Sequence, residues 1–261
     1  MRLGHPRRIW AIAACQGALE QLDRLHMAIA ERFEPGDRLV YLGNYLGRQD
    51  SVAILDHLLA FRTYMLAGPG MFASDLVYLR GIQEEIWSKL LQIQFAPNPR
   101  DVLCWMLDRG GAATLAAYGG DAREGLAATR GGATEITRWT NRVREAVRRQ
   151  PGHEKFMSTL RRAALTEESG AGRLLFVHAG LDPSRPLASQ ADSFWWGSAD
   201  FDRLTPPFET FTRIFRGFDP AGHGAQLDGY AVTLDIRSES AGALIAAVIA
   251  PDGQIVDIIK A

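Results

Sequence analysis

The sequence predicts an α/β fold, and three observations carry that expectation. Short apolar runs rich in β-forming residues alternate with helical periodicity in the early part of the chain. Two of these runs lead through a glycine-bearing loop into a helix, and in open α/β sheets ligands are held at such strand ends. The last part of the chain reads as closely spaced strands.

Arg8 to Ala13 (RIWAIA) reads as the first buried strand. Gly17 follows in a turn, and Leu19, Leu22, Leu25 and Ile29 then recur at helical spacing. Arg38 to Leu42 is the second strand, broken by Gly43. Asp50 or Ser51 can cap the helix marked by Val52, Leu55, Leu58 and Leu59. Leu76 to Leu79 is the third strand and runs into RGIQEE. Gly119 to Gly132, rich in Gly and Ala, is expected to be a mobile loop or insertion. Ile136, Trp139, Val143 and Val147 form an apolar stripe with Arg138, Arg142, Arg144, Arg148 and Arg149 largely off it. A basic groove-binding helix would carry this pattern, and so would a solvated helix face, the commoner explanation. Arg173 to Leu181 is a strand ending in His178. Tyr230 to Ile236, Ala243 to Ala250 and Ile255 to Ile259 read as strands, the last two joined by the turn Pro251-Asp252-Gly253.

A chain of 261 residues, 47% hydrophobic and 23% charged, can bury a substantial core, and one domain over residues 1–261 is expected. With 29 basic against 30 acidic residues, no global charge attracts nucleic acid or an anionic membrane. Cys15 and Cys104 lack the paired spacing of a zinc site, so a reduced, cytoplasmic protein is expected. IAAC before Gln16 looks like a lipoprotein cleavage box. The apolar run Ile9 to Ala14 is shorter than the ~7 to 15 residues of a signal-peptide core, however, and a helix follows at once. No run approaches the ~18 to 20 apolar residues that span a bilayer.

GNYLGRQ (Gly43 to Gln49) resembles the G-D-x-x-D-R-G signature of the calcineurin-like metallophosphoesterases, in particular the bacterial relatives of the Ser/Thr phosphoprotein phosphatases. Gly43, Tyr45 and Arg48 fit, while Asn44 and Gly47 stand at the two aspartates. Ala13 to Gly17 aligns with G-D-x-H-G, putting Ala14 and Gln16 at its Asp and His. RGIQE resembles R-G-N-H-E: Arg80, Gly81 and Glu84 match, Ile82 replaces the Asn and Gln83 the general-acid His. WMLDRGGAATLAAYG and PGHEKFMSTL extend the similarity. His178 corresponds to the metal-binding histidine of H-A-G. SFWWGSADF has Gly197 at a phosphate-gripping arginine, and RIFRGFDP has Phe218 at the last metal histidine, for which His223 is a possible substitute.

The resemblance implies an α/β sandwich of two mixed sheets packed face to face, with helices outside. It also implies that active relatives clamp a phosphoryl group between two divalent ions ~3.5 to 4 Å apart. Here His178 alone is retained as a ligand-type residue, so no metal or other cofactor is expected. Carboxylates clustered without their ions would repel one another, and small or apolar replacements relieve this. The expectation is a pseudophosphatase that works by contact with another molecule, most simply a protein. Arg48 and Arg80 would either hold a phosphate or acidic group or brace loops. The alternative is a divergent metal-dependent phosphoesterase with a site rebuilt from His178, His223 and Asp219 or Glu84, or one using Cys15 as a nucleophile activated by a helix N-terminus. Cys15 lacks a Cys-x5-Arg cradle, because Gln21 occupies the arginine position. A purely structural subunit is a third reading.

Overall fold

Ile9–Ile12 (β1), Arg38–Tyr41 (β2) and Leu76–Tyr78 (β3) pair in parallel, with Leu19–Ala30 (α1) and Ser51–Leu66 (α2) as the crossovers. Their near-continuous burial is what parallel strands covered on both faces require. The structure is a computed structural model that describes residues 1–198, 201–237 and 243–261. In α1 the expected stripe is the buried one: Leu22, Leu25 and Ile29 are inaccessible to water, each contributing ~1.5 to 3 kcal/mol relative to exposure. At the start of α2 the brace is Ser51, whose hydroxyl donates to the Arg48 carbonyl. Asp50 makes no side-chain capping bond.

A helical layer follows: Ile82–Leu90 (α3), Pro99–Met106 (α4), Ala112–Ala117 (α5), Ala122–Arg130 (α6), Ala133–Arg148 (α7) and His153–Thr159 (α8). Helix α6 corrects the expectation of a mobile loop at Gly119 to Gly132. The Asp121 carboxylate accepts from the Arg123 N–H at 2.8 Å and caps the helix. Gly125 serves close packing, since a Cβ there would lie 2.6 Å from the Trp139 ring of α7. On α7 three arginines are solvated and ion-paired, Arg138 with Glu135, Arg142 with Glu124 and Arg148 with Glu154, while the half-buried Arg144 reaches the Leu91 carbonyl. Exposed pairs of this kind contribute little stability.

The second sheet is Ala164–Leu165 (β4), Leu174–Val177 (β5), Arg213–Arg216 (β6) and Ala231–Thr233 (β7), in that order, with Ser193–Trp196 (α9) between β5 and β6. Strands β5, β6 and β7 are parallel and β4 antiparallel. Ile245–Ile249 (β8) and Ile255–Lys260 (β9) then return to the first sheet, whose order is β3-β2-β1-β8-β9. The expected turn joins them, with Gly253 N–H donating to the Ala250 carbonyl at 2.9 Å.

Period-two alternation fixes how the sheets meet. Leu174 and Phe176 of β5 join the core of the first sheet, whereas Leu175 and Val177 face a second cluster containing Phe194, Trp195 and Phe201. The result is an α/β sandwich of two mixed sheets flanked by helices, as expected. No helix among the described residues is long and apolar enough to cross a membrane.

Candidate functional site

The parallel strands of both sheets end on one side, and main-chain bonds stitch their ends together. Ala14 N–H donates to the Gly217 carbonyl, Cys15 N–H to Gly43 and Gln16 N–H to Asn44, at 2.8 to 3.0 Å. Gly217 and Phe218 both donate to the His178 carbonyl at 3.0 Å. These bonds bring Ala14, Gln16, Asn44, His178 and Phe218 to one place. A cleft of about 520 Å3 opens among Ala14, Gln16, Arg48, Asp50 and Arg237, and a second of about 250 Å3 among Gln16, Gly47, Arg48, Gln83, Arg109 and Gly110.

His178 is fully buried, with Nδ1 against the Leu42 carbonyl. A carbonyl only accepts, so Nδ1 carries the proton and the lone pair lies on Nε2, which has no hydrogen-bond partner. That is the posture of a metal-binding imidazole, whose other nitrogen donates to a backbone carbonyl. Burial lowers its pKa to about 4, which keeps the ring neutral. Phe218 stacks on it, with centroids 5.2 Å apart and planes 8° from parallel. The Arg237 guanidinium lies 4.4 Å from the centroid of that same Phe218 ring.

Arg237 and Asp235, which follow β7, are the residues sequence reasoning missed. Arg237 Nε donates to both Asp235 oxygens, Nη2 to the Asp219 carbonyl at 3.1 Å and Nη1 to Gln16 Oε1 at 3.1 Å. The signal was a D-x-R triplet closing a predicted strand. Gln16 adopts φ of +48° and its Nε2 is buried without a partner. Asn44, with φ of +59°, accepts from Gln83 N–H through Oδ1 at 3.2 Å. Asn44 thus serves as loop structure.

Glu84 holds the β2 loop from below. Its carboxylate accepts four backbone N–H groups, from Asn44, Tyr45, Leu46 and Gly81, at 2.7 to 3.0 Å. Burial pushes this carboxyl up from its ordinary pKa, and the four donors pull in the opposite direction. Gly47 and Gln83 are complementary: a Cβ at Gly47 would lie 2.5 Å from the Gln83 amide, and one at Gly110 would lie 2.4 Å from Gln83 Oε1. The segment around Gly110, which carries no ligand in the sequence comparison, therefore forms a wall of the cleft. Ile82 is half-buried and packs against the core. Gly197 sits where a Cβ would meet the Pro220 ring at 2.9 Å, so that corner is closed. Ala199 and Asp200 of the same expected segment lie outside the described residues.

Arg80 and His223 are not among the residues that line the cleft, whereas Arg48 and Cys15 are. Arg80 pairs with Glu85 at 3.1 Å and lines a different cavity from Arg48, so the structure does not bring the two together as one anion clamp. Arg48 is exposed, and its guanidinium has no partner among the described residues. His223 is bound to Asp219 through both its N–H and Nδ1, at 2.8 and 3.0 Å. Burial raises Asp219, but the N–H groups of His223 and Ala221, with Arg216, carry it below its ordinary pKa. Cys15 is buried, and burial raises its thiol strongly, followed by the Glu84 charge. This is the reverse of the activation a nucleophile needs.

The donor set does not fit a pair of divalent cations. Among the described residues no group of three or more His, Cys, Asp or Glu could hold a metal. The one oriented imidazole of the site is stacked by the Phe218 phenyl ring, which offers a metal ion no lone pair.

Two solved structures share this architecture. A candidate diadenosine tetraphosphatase matches with a TM-score of 0.56 and 18% identity, over 100% of this chain and 96% of that one. A protein serine/threonine phosphatase from Saccharomyces cerevisiae, with similarity to human phosphatase PP5, matches with a TM-score of 0.52 and 15% identity, over 100% of this chain and 82% of that one. Both are calcineurin-like metallophosphoesterases, and the chain has their fold. No family model and no curated protein matches the sequence.

Proposed function

We propose that this chain, built on the calcineurin-like metallophosphoesterase fold, is a pseudophosphatase that acts by binding a protein partner and takes an acidic or phosphorylated group of that partner into its cleft. The carrying observation is Arg237, a guanidinium in the cleft wall held by Asp235, Gln16 and the Phe218 ring. Arg237, ion-paired with Asp235, and Arg48, unpaired among the described residues, both line the larger cleft, and guanidinium groups there favour an anionic group. Arg48 also lines the smaller cleft, together with Arg109, which stacks 4.6 Å from the Trp105 centroid.

Calorimetric titration with phosphoserine and phosphothreonine peptides tests this reading. Saturable binding, weakened by Arg48→Ala, supports it. No saturable binding of either peptide, or of inorganic phosphate, overturns the phosphate part. A second reading, a divergent metal-dependent phosphoesterase, draws on the unpartnered Nε2 of His178. Hydrolysis of a generic phosphoester with manganese, above a His178→Ala control, would establish it in place of the first.

A further inference from the structure

On the far side of β3 from β2, a cavity of about 440 Å3 lies between that strand, α2 and α8. Its volume is within the range of small-molecule sites. Its walls are apolar, with Val77, Tyr78 and Phe156 each at most 5% exposed. The Tyr78 and Phe156 rings meet edge to face, centroids 4.9 Å apart. One feature sets it apart from a packing defect: the lining carries three cations, Arg62, Lys155 and Arg161, none of which pairs with a carboxylate among the described residues.

We propose that this cavity binds a small organic anion, its acidic head among Arg62, Lys155 and Arg161 and its apolar body against Val77 and Phe156. Inorganic phosphate alone would leave the apolar walls uncovered, and a neutral amphiphile would make no use of the cations at the rim. The site is separate from the Arg237 cleft and stands whether or not that cleft binds phosphate.

The test is calorimetric titration of the full chain with octanoate, octyl phosphate and octanol. At least one anion is expected to bind saturably, about tenfold or more tighter than octanol, since octanol cannot make a charge-assisted contact with the cations. Octanoate as the tighter probe assigns a carboxylate ligand, octyl phosphate a phosphate monoester. The double variant Arg62→Gln with Lys155→Gln, which breaks no ion pair and is expected to melt like the parent, should remove that advantage and leave octanol binding unchanged. Equal affinity for octanol and both anions, an unaffected double variant, or no saturable binding by any of the three would overturn the proposal.

Discussion

Arg237 donates through Nε to both oxygens of Asp235, two residues before it, at 2.8 and 2.9 Å. Asp235 is 4% exposed and also accepts from the Asp219 N–H, so the pair ties the end of β7 to the end of β6. Arg237→Met is expected to cost about 1 to 3 kcal/mol in chemical denaturation. That is less than the ~3 to 5 typical of a fully buried pair, because the guanidinium is partly solvated. Asp235→Asn with Arg237→Met should recover part of this. A single variant as stable as the parent would mean that the pair holds nothing.

Protonation of His178 gives a pH signature. Its folded pKa of about 4 lies below the ordinary 6.5, because burial disfavours the charged ring. The unfolded chain therefore binds more protons between those values. The resulting stability is complete above pH ~6.5 and is lost as pH falls toward 4, on the order of 2 to 3 kcal/mol. His26, lowered to about 3 by burial and by His57, acts in the same direction over an overlapping window. Stability measured from pH 7 to pH 4 should fall, and His178→Gln should flatten the slope. An unchanged slope would contradict the assignment.

Glu84→Gln should be among the most destabilising single changes at the site. An amide places an NH2 group among four backbone N–H donors that now share a carboxylate. The expected loss is about 2 to 4 kcal/mol, read from the denaturation midpoint at unchanged slope. A loss below ~1 kcal/mol would show that the loop finds other acceptors.

Gly47 and Gln83 should be energetically coupled. Gly47→Ala meets both a φ of +94° and the Gln83 side chain, and should cost about 1 to 3 kcal/mol. Gln83→Ala in the same chain should return a measurable part, leaving the backbone strain. Strict additivity in the double-mutant cycle would refute the contact.

Manganese or zinc should leave the melting temperature unchanged at concentrations that saturate a genuine metal site, because only a ligand of the folded state raises it. A dose-dependent rise, lost in His178→Ala, would restore the metal reading.

What could be read in the sequence was what local chemistry dictates. The β8–β9 turn needs only Pro251-Asp252-Gly253, and α1 only its leucine spacing, and both form as expected. Helix α6 departs from the mobile loop or insertion that the Gly- and Ala-rich composition of Gly119 to Gly132 suggests, because Gly125 serves the close approach of Trp139, a contact no local window contains. The replaced positions Ala14, Asn44 and Phe218 were found by motif and do converge. Arg237 was not found, because its partners Gln16 and Asp219 are far away in the chain or bonded through main chain.

The seam where Ala14, Cys15 and Gln16 bond to Gly217, Gly43 and Asn44 is made of peptide groups alone. Its bonds are therefore indifferent to side-chain chemistry except at Gly43 and Gly217, where a Cβ would lie 2.7 Å from His178 Nδ1 and 2.3 Å from the Leu42 side chain. An isosteric change such as Asn44→Asp alters one atom above that floor of peptide contacts, so the groups presented at the strand ends can vary while the architecture beneath them stands.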